Sequence, residues 1–217
     1  MIRVGVDYDL WLNKALREAP HVHVIDASTD VALLDVRAGG IGPGDGHAHG
    51  RGNPHYWLDP VNAGMITATI LESFAKLDPA NTQRYDANRR QFLARLDTKL
   101  AEWSRSLKDT PPLVAYHDTW PYFARRFRLR FVGIIETRPG VAPGPAHLAG
   151  LVRAASREGV AAIVREPHEP TRDAEFIAAR SGASVAVIAS GVGAVPEARD
   201  YMSLIDYDVR TLARAMR

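Results

Sequence analysis

Two rhythms of apolar residues take turns along this chain, one with the period of a strand and one with that of a helix. "IRVGV" (2–6) reads as a short strand, and "LWLNKALREA" (10–19) as an amphipathic helix. In the second stretch Leu10, Trp11, Leu12, Ala15 and Leu16 fall largely on one face. "HVHVI" (21–25) alternates polar and apolar as a half-buried strand does, which puts His21 and His23 on the same side. "VALLDV" (31–36) predicts a further strand. The rhythm then fails over 38–54, where seven glycines in seventeen residues predict a flexible loop.

Helical spacing resumes at "DPVNAGMITATILESFAKL" (59–77), with Asp59 expected as N-cap and Pro60 at the first helical position. From Pro79 to about Lys108 the residues Tyr85, Phe92, Leu96, Leu100, Trp103 and Leu107 are separated by 7, 4, 4, 3 and 4 positions. They form one stripe on a helix of roughly 44 Å, longer than one compact lobe needs. "DTPP" (109–112) ends it. Beyond it the two rhythms alternate regularly. Strands are predicted at 112–116, 131–136, 160–166 and 184–190, and helices at 118–127, 144–159, 171–182 and about 200–216. Such alternation predicts an α/β fold whose parallel sheet is covered on both faces, with ligands at the carboxyl ends of its strands.

Composition narrows the field. Hydrophobic residues make up 46% and charged residues 24% of the 217, ordinary proportions for a globular protein with a substantial core. No apolar run approaches the ~18 residues of a membrane span. A formal charge of +2, with basic residues dispersed except for "ARRFRLR" (124–130), argues against a nucleic-acid partner. The chain has no cysteine, which excludes disulfides, thiolate nucleophiles, zinc–thiolate sites and iron–sulfur clusters. "MIRVGVDYDLW" shows no basic segment followed by an apolar one, so the chain as written reads without a secretory signal.

The candidate chemistry lies in histidines. "GHAHGRGNPHYWLDP" (46–60) holds His47, His49 and His55 within nine positions. His117 directly follows the strand "PLVAY", at the end where ligand sites form in this architecture. A divalent ion such as zinc takes imidazole nitrogens and carboxylate oxygens at about 2.0–2.2 Å. It also needs neighbours that fix each ring's tautomer, a role for which Asp59 and Asp118 are near enough in sequence.

The words around these histidines carry a resemblance. "NPHYWLDP" before a helix, a long helix with "RYDANRRQFLARLD", and then "VAYHDTWPYFARRFRLR" resemble the solute-binding component of zinc and manganese ABC transporters. "IIETRPGVAPGPAHLAGLV", "AIVREPHEPTRDAEFIAARSGASVAVI" and "DYMSLIDYDVRTLARAM" continue it, so it runs from about Arg3 to the C-terminus. The resemblance implies two α/β lobes with parallel sheets flanked by helices, bridged by one long helix. The division expected is 1–78 for the first lobe, 79–110 for the linking helix and 111–217 for the second lobe. It implies a metal in the cleft, with His55 contributed by the first lobe and His117 by the second. Zinc is favoured and manganese is the alternative; the implied partner is an ABC transporter permease, and the implied location is periplasmic or extracellular. His47 and His49 resemble a short form of the histidine-rich loop of zinc-directed members.

The pattern is incomplete in two places. A metal histidine expected early in the first lobe has no counterpart, so that lobe is expected to be incomplete, with an open, weak site and an exposed sheet edge. The oxygen ligand expected after the last strand is also missing. Ser190, Glu197 and Asp200 lie near that point, and Glu166 and His168 are donors at another strand end. Two other readings stand beside metal carriage. One is a metal-free interaction domain descended from the transporter protein. The other is a metal-dependent hydrolase, against which the chain has no His-Glu-x-x-His motif, Gly-x-Ser-x-Gly elbow or phosphate-binding glycine loop.

Overall fold

The computed structural model describes residues 1–34, 52–138 and 140–216. They form two compact units, 1–98 and 99–217.

The first unit opens with β1 (Ile2–Arg3), followed by α1 (Leu12–Glu18) and β2 (Ile25–Asp26), and β1 pairs in parallel with β2. The strand expected over 2–6 stops at Arg3 because Gly5, Val6 and Asp7 all take left-handed backbone conformations, φ 77°, 51° and 60°. Gly5 is required there: a Cβ would stand 2.2 Å from Asp26 Oδ1. Asp26 accepts from the Arg3 guanidinium at 2.8 Å and from the Ser28 backbone and hydroxyl, which pins the start of the loop after β2. Of the strand expected over 21–25 only Ile25 is extended and paired, with His21 and His23 exposed before it. Residues 31–34 of the strand expected over 31–36 form none. His47, His49 and most of the glycine loop lie outside the described residues.

A 3₁₀ turn (Tyr56–Leu58) precedes α2 (Asn62–Leu77). Asp59 caps the turn that leads into α2, whose own boundary residue is Val61: Asp59 Oδ1 accepts from Val61 N at 3.0 Å and its carbonyl from Asn62 N at 2.9 Å. The buried Tyr56 donates its hydroxyl to the Val4 carbonyl at 2.6 Å, joining the turn to the end of β1. Another 3₁₀ turn (Pro79–Asn81) leads into α3 (Thr82–Ser106), 25 residues and roughly 37 Å long. The division between the units falls inside it.

In the second unit β3 (Leu113–Ala115), β4 (Phe131–Ile134), β5 (Ala162–Arg165) and β6 (Ser184–Val187) form a sheet in the order β4-β3-β5-β6, parallel throughout. The helices between and after them are α4 (Pro121–Phe127), α5 (Pro145–Glu158), α6 (Thr171–Ser181) and α7 (Tyr201–Ala215). Val114 and Ile163 pack with Leu151 and Ala155 of α5 and Ala174 and Ile177 of α6. The alternate residues Leu113, Ala115, Ala162 and Val164 are equally buried. A strand buried on both faces reads as a continuous apolar run, which is why 112–116 and 160–166 are legible as strands. α5 and α6 each stop at a left-handed glycine, Gly159 and Gly182. α4 begins at Pro121, three residues later than expected, which leaves His117–Trp120 as the connection above β3.

Candidate metal centre

His55 stands at the entrance of the 3₁₀ turn, half-buried, with its ring 5.4 Å from that of Trp57 and 6.3 Å from that of Tyr8. Asn53, 3% exposed, turns its side-chain oxygen back on it. That oxygen accepts from the His55 backbone N–H at 3.0 Å and lies 2.9 Å from Nδ1 of the ring. The backbone N–H can only donate, so the Asn53 atom facing it is the carbonyl oxygen. An oxygen that only accepts in turn requires Nδ1 to carry the proton. The lone pair of His55 is thereby left on Nε2.

His117 is set by the sheet. Pairing of β3 with its neighbours continues one step past the strand: Tyr116 N donates to Val164 O at 2.7 Å and Glu136 N to Tyr116 O at 2.8 Å. That register puts the residue after Tyr116 beside Glu136, and His117 Nδ1 lies 3.0 Å from Glu136 Oε2. Glu136 is itself held, since its Oε1 accepts from Gly140 N at 2.8 Å. The contact is a close charge pairing and not an aligned hydrogen bond; a carboxylate beside Nδ1 favours the proton there and leaves the lone pair on Nε2, the arrangement found behind metal-binding imidazoles. The oxygens placed beside the two Nδ1 atoms are thus those of Asn53 and Glu136. Asn53 was visible as an Asn two residues before the histidine. Glu136 was not, because nineteen residues separate it from His117. His55 belongs to the first unit and His117 to the second.

The remaining donors divide sharply. Glu166, His168 and Glu169, on the turn after β5, bring one ligand atom each to within 4.8 Å of one another. The His168 side chain is 76% exposed, whereas Glu166 is buried and accepts from Thr119 Oγ1 at 2.9 Å and from the Ser190 hydroxyl. Burial pushes the Glu169 carboxyl up to about 8, the nearby Glu166 and Glu136 carboxylates adding to the effect. Asp208, wholly buried on α7, is also held well above the usual carboxylate range by burial, though Ala189 N donates to it at 2.8 Å. Asp200 is occupied as the N-cap of α7, accepting from Ser203 N at 2.8 Å, and Glu197 is exposed. His147 directs Nε2 to the Ile134 carbonyl at 2.9 Å. Among the described residues no helix is long and apolar enough to cross a membrane.

Comparison with known proteins gives a consistent result. The family model described as "ZnuA: Zinc-uptake complex component A periplasmic" matches residues 1–215. The high-affinity zinc uptake system protein ZnuA of Brucella abortus (strain 2308) is 27% identical over 165 residues, 75% of this chain and 48% of the relative. The chain spans about half the length of the curated relatives of this kind. Among solved structures, a crystal structure of ZnuA superposes with a TM-score of 0.84 at 26% identity, covering 100% of this chain and 79% of that one. The solute-binding protein FpvC of Pseudomonas aeruginosa, in complex with Mn2+, gives 0.79 at 25% identity, covering 99% and 78%. These neighbours share the α/β fold with parallel sheets flanked by helices.

Proposed function

Because its residues 1–215 match the family model, the chain belongs to the ZnuA family of zinc-uptake components, and we propose that it carries a divalent transition-metal ion to an ABC transporter permease. The ion is cargo, taken up and released, and no bond of a substrate is made or broken. Zinc is the favoured cargo and manganese the second. The working location is the periplasm or the cell exterior.

We assign His55 and His117, one from each unit, as ligands of a single ion. The observation that carries this reading is that each ring has an oxygen within 3.0 Å of Nδ1, Asn53 Oδ1 for His55 and Glu136 Oε2 for His117. Two histidines prepared in the same tautomer present two Nε2 lone pairs. Zinc binds such nitrogens at about 2.0–2.1 Å, and the oxygen behind each ring orients it. Imidazole donors suit zinc better than manganese, which prefers oxygen. The similarity to a zinc uptake protein supports zinc, and that to a manganese-bound neighbour keeps manganese as the competitor.

Zinc titration of tag-free protein tests the reading. The parent is expected to take one ion per chain and to gain thermal stability with it. The His55→Ala/His117→Ala variant is expected to lose both. A folded double variant with unchanged stoichiometry and thermal shift would remove these residues from the site.

A further inference from the structure

Glu166 directly follows β5 and is 5% exposed. Its main chain is fixed on the turn: Glu166 N donates to Glu169 Oε2 at 2.5 Å, and its carbonyl accepts from Arg165 Nη1 at 2.8 Å and from Glu169 N at 3.2 Å. Its carboxylate reaches away from that turn. Oε1 accepts from Thr119 Oγ1 at 2.9 Å, and Oε2 accepts from Ser190 Oγ. Thr119, 1% exposed, lies between β3 and α4, and Ser190 lies three residues beyond β6. One side chain therefore joins the carboxyl ends of three strands. Hydrogen bonds from hydroxyls to an ionised carboxylate are shorter and stronger than neutral ones. A buried carboxyl group left without such partners is destabilising, so the tie resists breaking.

His117 lies between two fixed points. On one side Tyr116 is held in the sheet by Val164 and Glu136. On the other Thr119 is held by Glu166, and only Asp118 separates it from His117. We infer that Glu166 is a positioning residue for the metal site, holding the His117 segment where Nδ1 lies beside the Glu136 carboxylate and Nε2 is turned to the ion. This rests on His117 being a ligand, and Glu166 itself acts only through Thr119.

The test uses three variants of the full chain, Thr119→Val, Glu166→Ala and Glu166→Gln, each checked for folding by circular dichroism. Long-range 1H–15N NMR reads the tautomer of His117 without metal, and competition titration reads the zinc Kd. Thr119→Val keeps the side-chain shape and loses the donor, so it serves even where Glu166→Ala does not fold. Thr119→Val and Glu166→Ala are expected to turn the single His117 tautomer into a mixture and to raise the Kd ~10-fold, the loss of one buried hydrogen bond. The Glu166→Gln amide accepts from Thr119 and donates to Ser190, so it should restore the parent spectrum and most of the affinity. A folded Thr119→Val with the parent His117 spectrum overturns the inference, as does Glu166→Gln behaving like Glu166→Ala. If the parent takes no zinc, the metal reading falls, while the His117 spectrum of Thr119→Val still decides the positioning role.

Discussion

At His55 a single amide oxygen does two jobs, closing a turn on the backbone N–H and choosing which ring nitrogen keeps its proton. Removing it separates the two consequences. Asn53→Ala leaves Nδ1 without its acceptor and allows the ring to exchange tautomers. The zinc Kd is expected to rise about 10–100-fold, the usual cost of losing the group behind a metal-binding histidine. Competition titration measures it, and an unchanged Kd would separate the tautomer from binding. Glu169 makes a different prediction. Its carboxyl titrates near 4.5 in an ordinary setting and near 8 in the fold, chiefly because it is buried, with Glu166 and Glu136 facing it and Arg165 nearby. The folded chain thus keeps a proton that the unfolded chain releases across that window. The contribution to stability is complete below about 4.5 and declines as pH rises toward 8. Glu169→Gln should therefore raise the Tm of metal-free protein near pH 8 and leave it nearly unchanged near pH 4. A Tm increase of the same size at both would refute this origin.

At the scale of elements, the boundaries misjudged from sequence are those that tertiary contacts decide. "IRVGV" has the composition of a strand, yet the chain turns left-handed at Gly5 against Asp26, a partner twenty-one residues away. Gly5→Ala is expected to cost at least ~1–3 kcal/mol, since alanine disfavours that φ and its Cβ would displace the Asp26 carboxylate. Thermal or urea unfolding reads it, and a neutral result would mean that the turn relaxes without penalty. The α3 stripe and the buried runs of β3 and β5 were legible because their periodicity is local. Glu136 was not, because only the parallel pairing of β3 with β4 brings it to His117. The tie from Glu166 to Thr119 and Ser190 was hidden for the same reason: it spans three strand ends that are distant in sequence.

For the whole molecule, composition and periodicity together allowed only a cysteine-free globular α/β protein. The family was legible because its motifs keep order and spacing, His55 before Trp57-Leu58-Asp59-Pro60 and His117 after a buried strand. The comparisons place the chain in that family over residues 1–215. What motif matching could not supply is the chemistry behind each imidazole, an oxygen within 3.0 Å of Nδ1 in both histidines. Under the proposed function the two Nε2 nitrogens hold one ion together. Long-range 1H–15N NMR during a zinc titration tests it directly by following both rings at once. The Nε2 signals of His55 and His117 are expected to move together and stop at one equivalent of zinc, each losing its response when the other histidine is replaced by alanine. Signals that move at different equivalence points, or a single ring that responds alone, would contradict it.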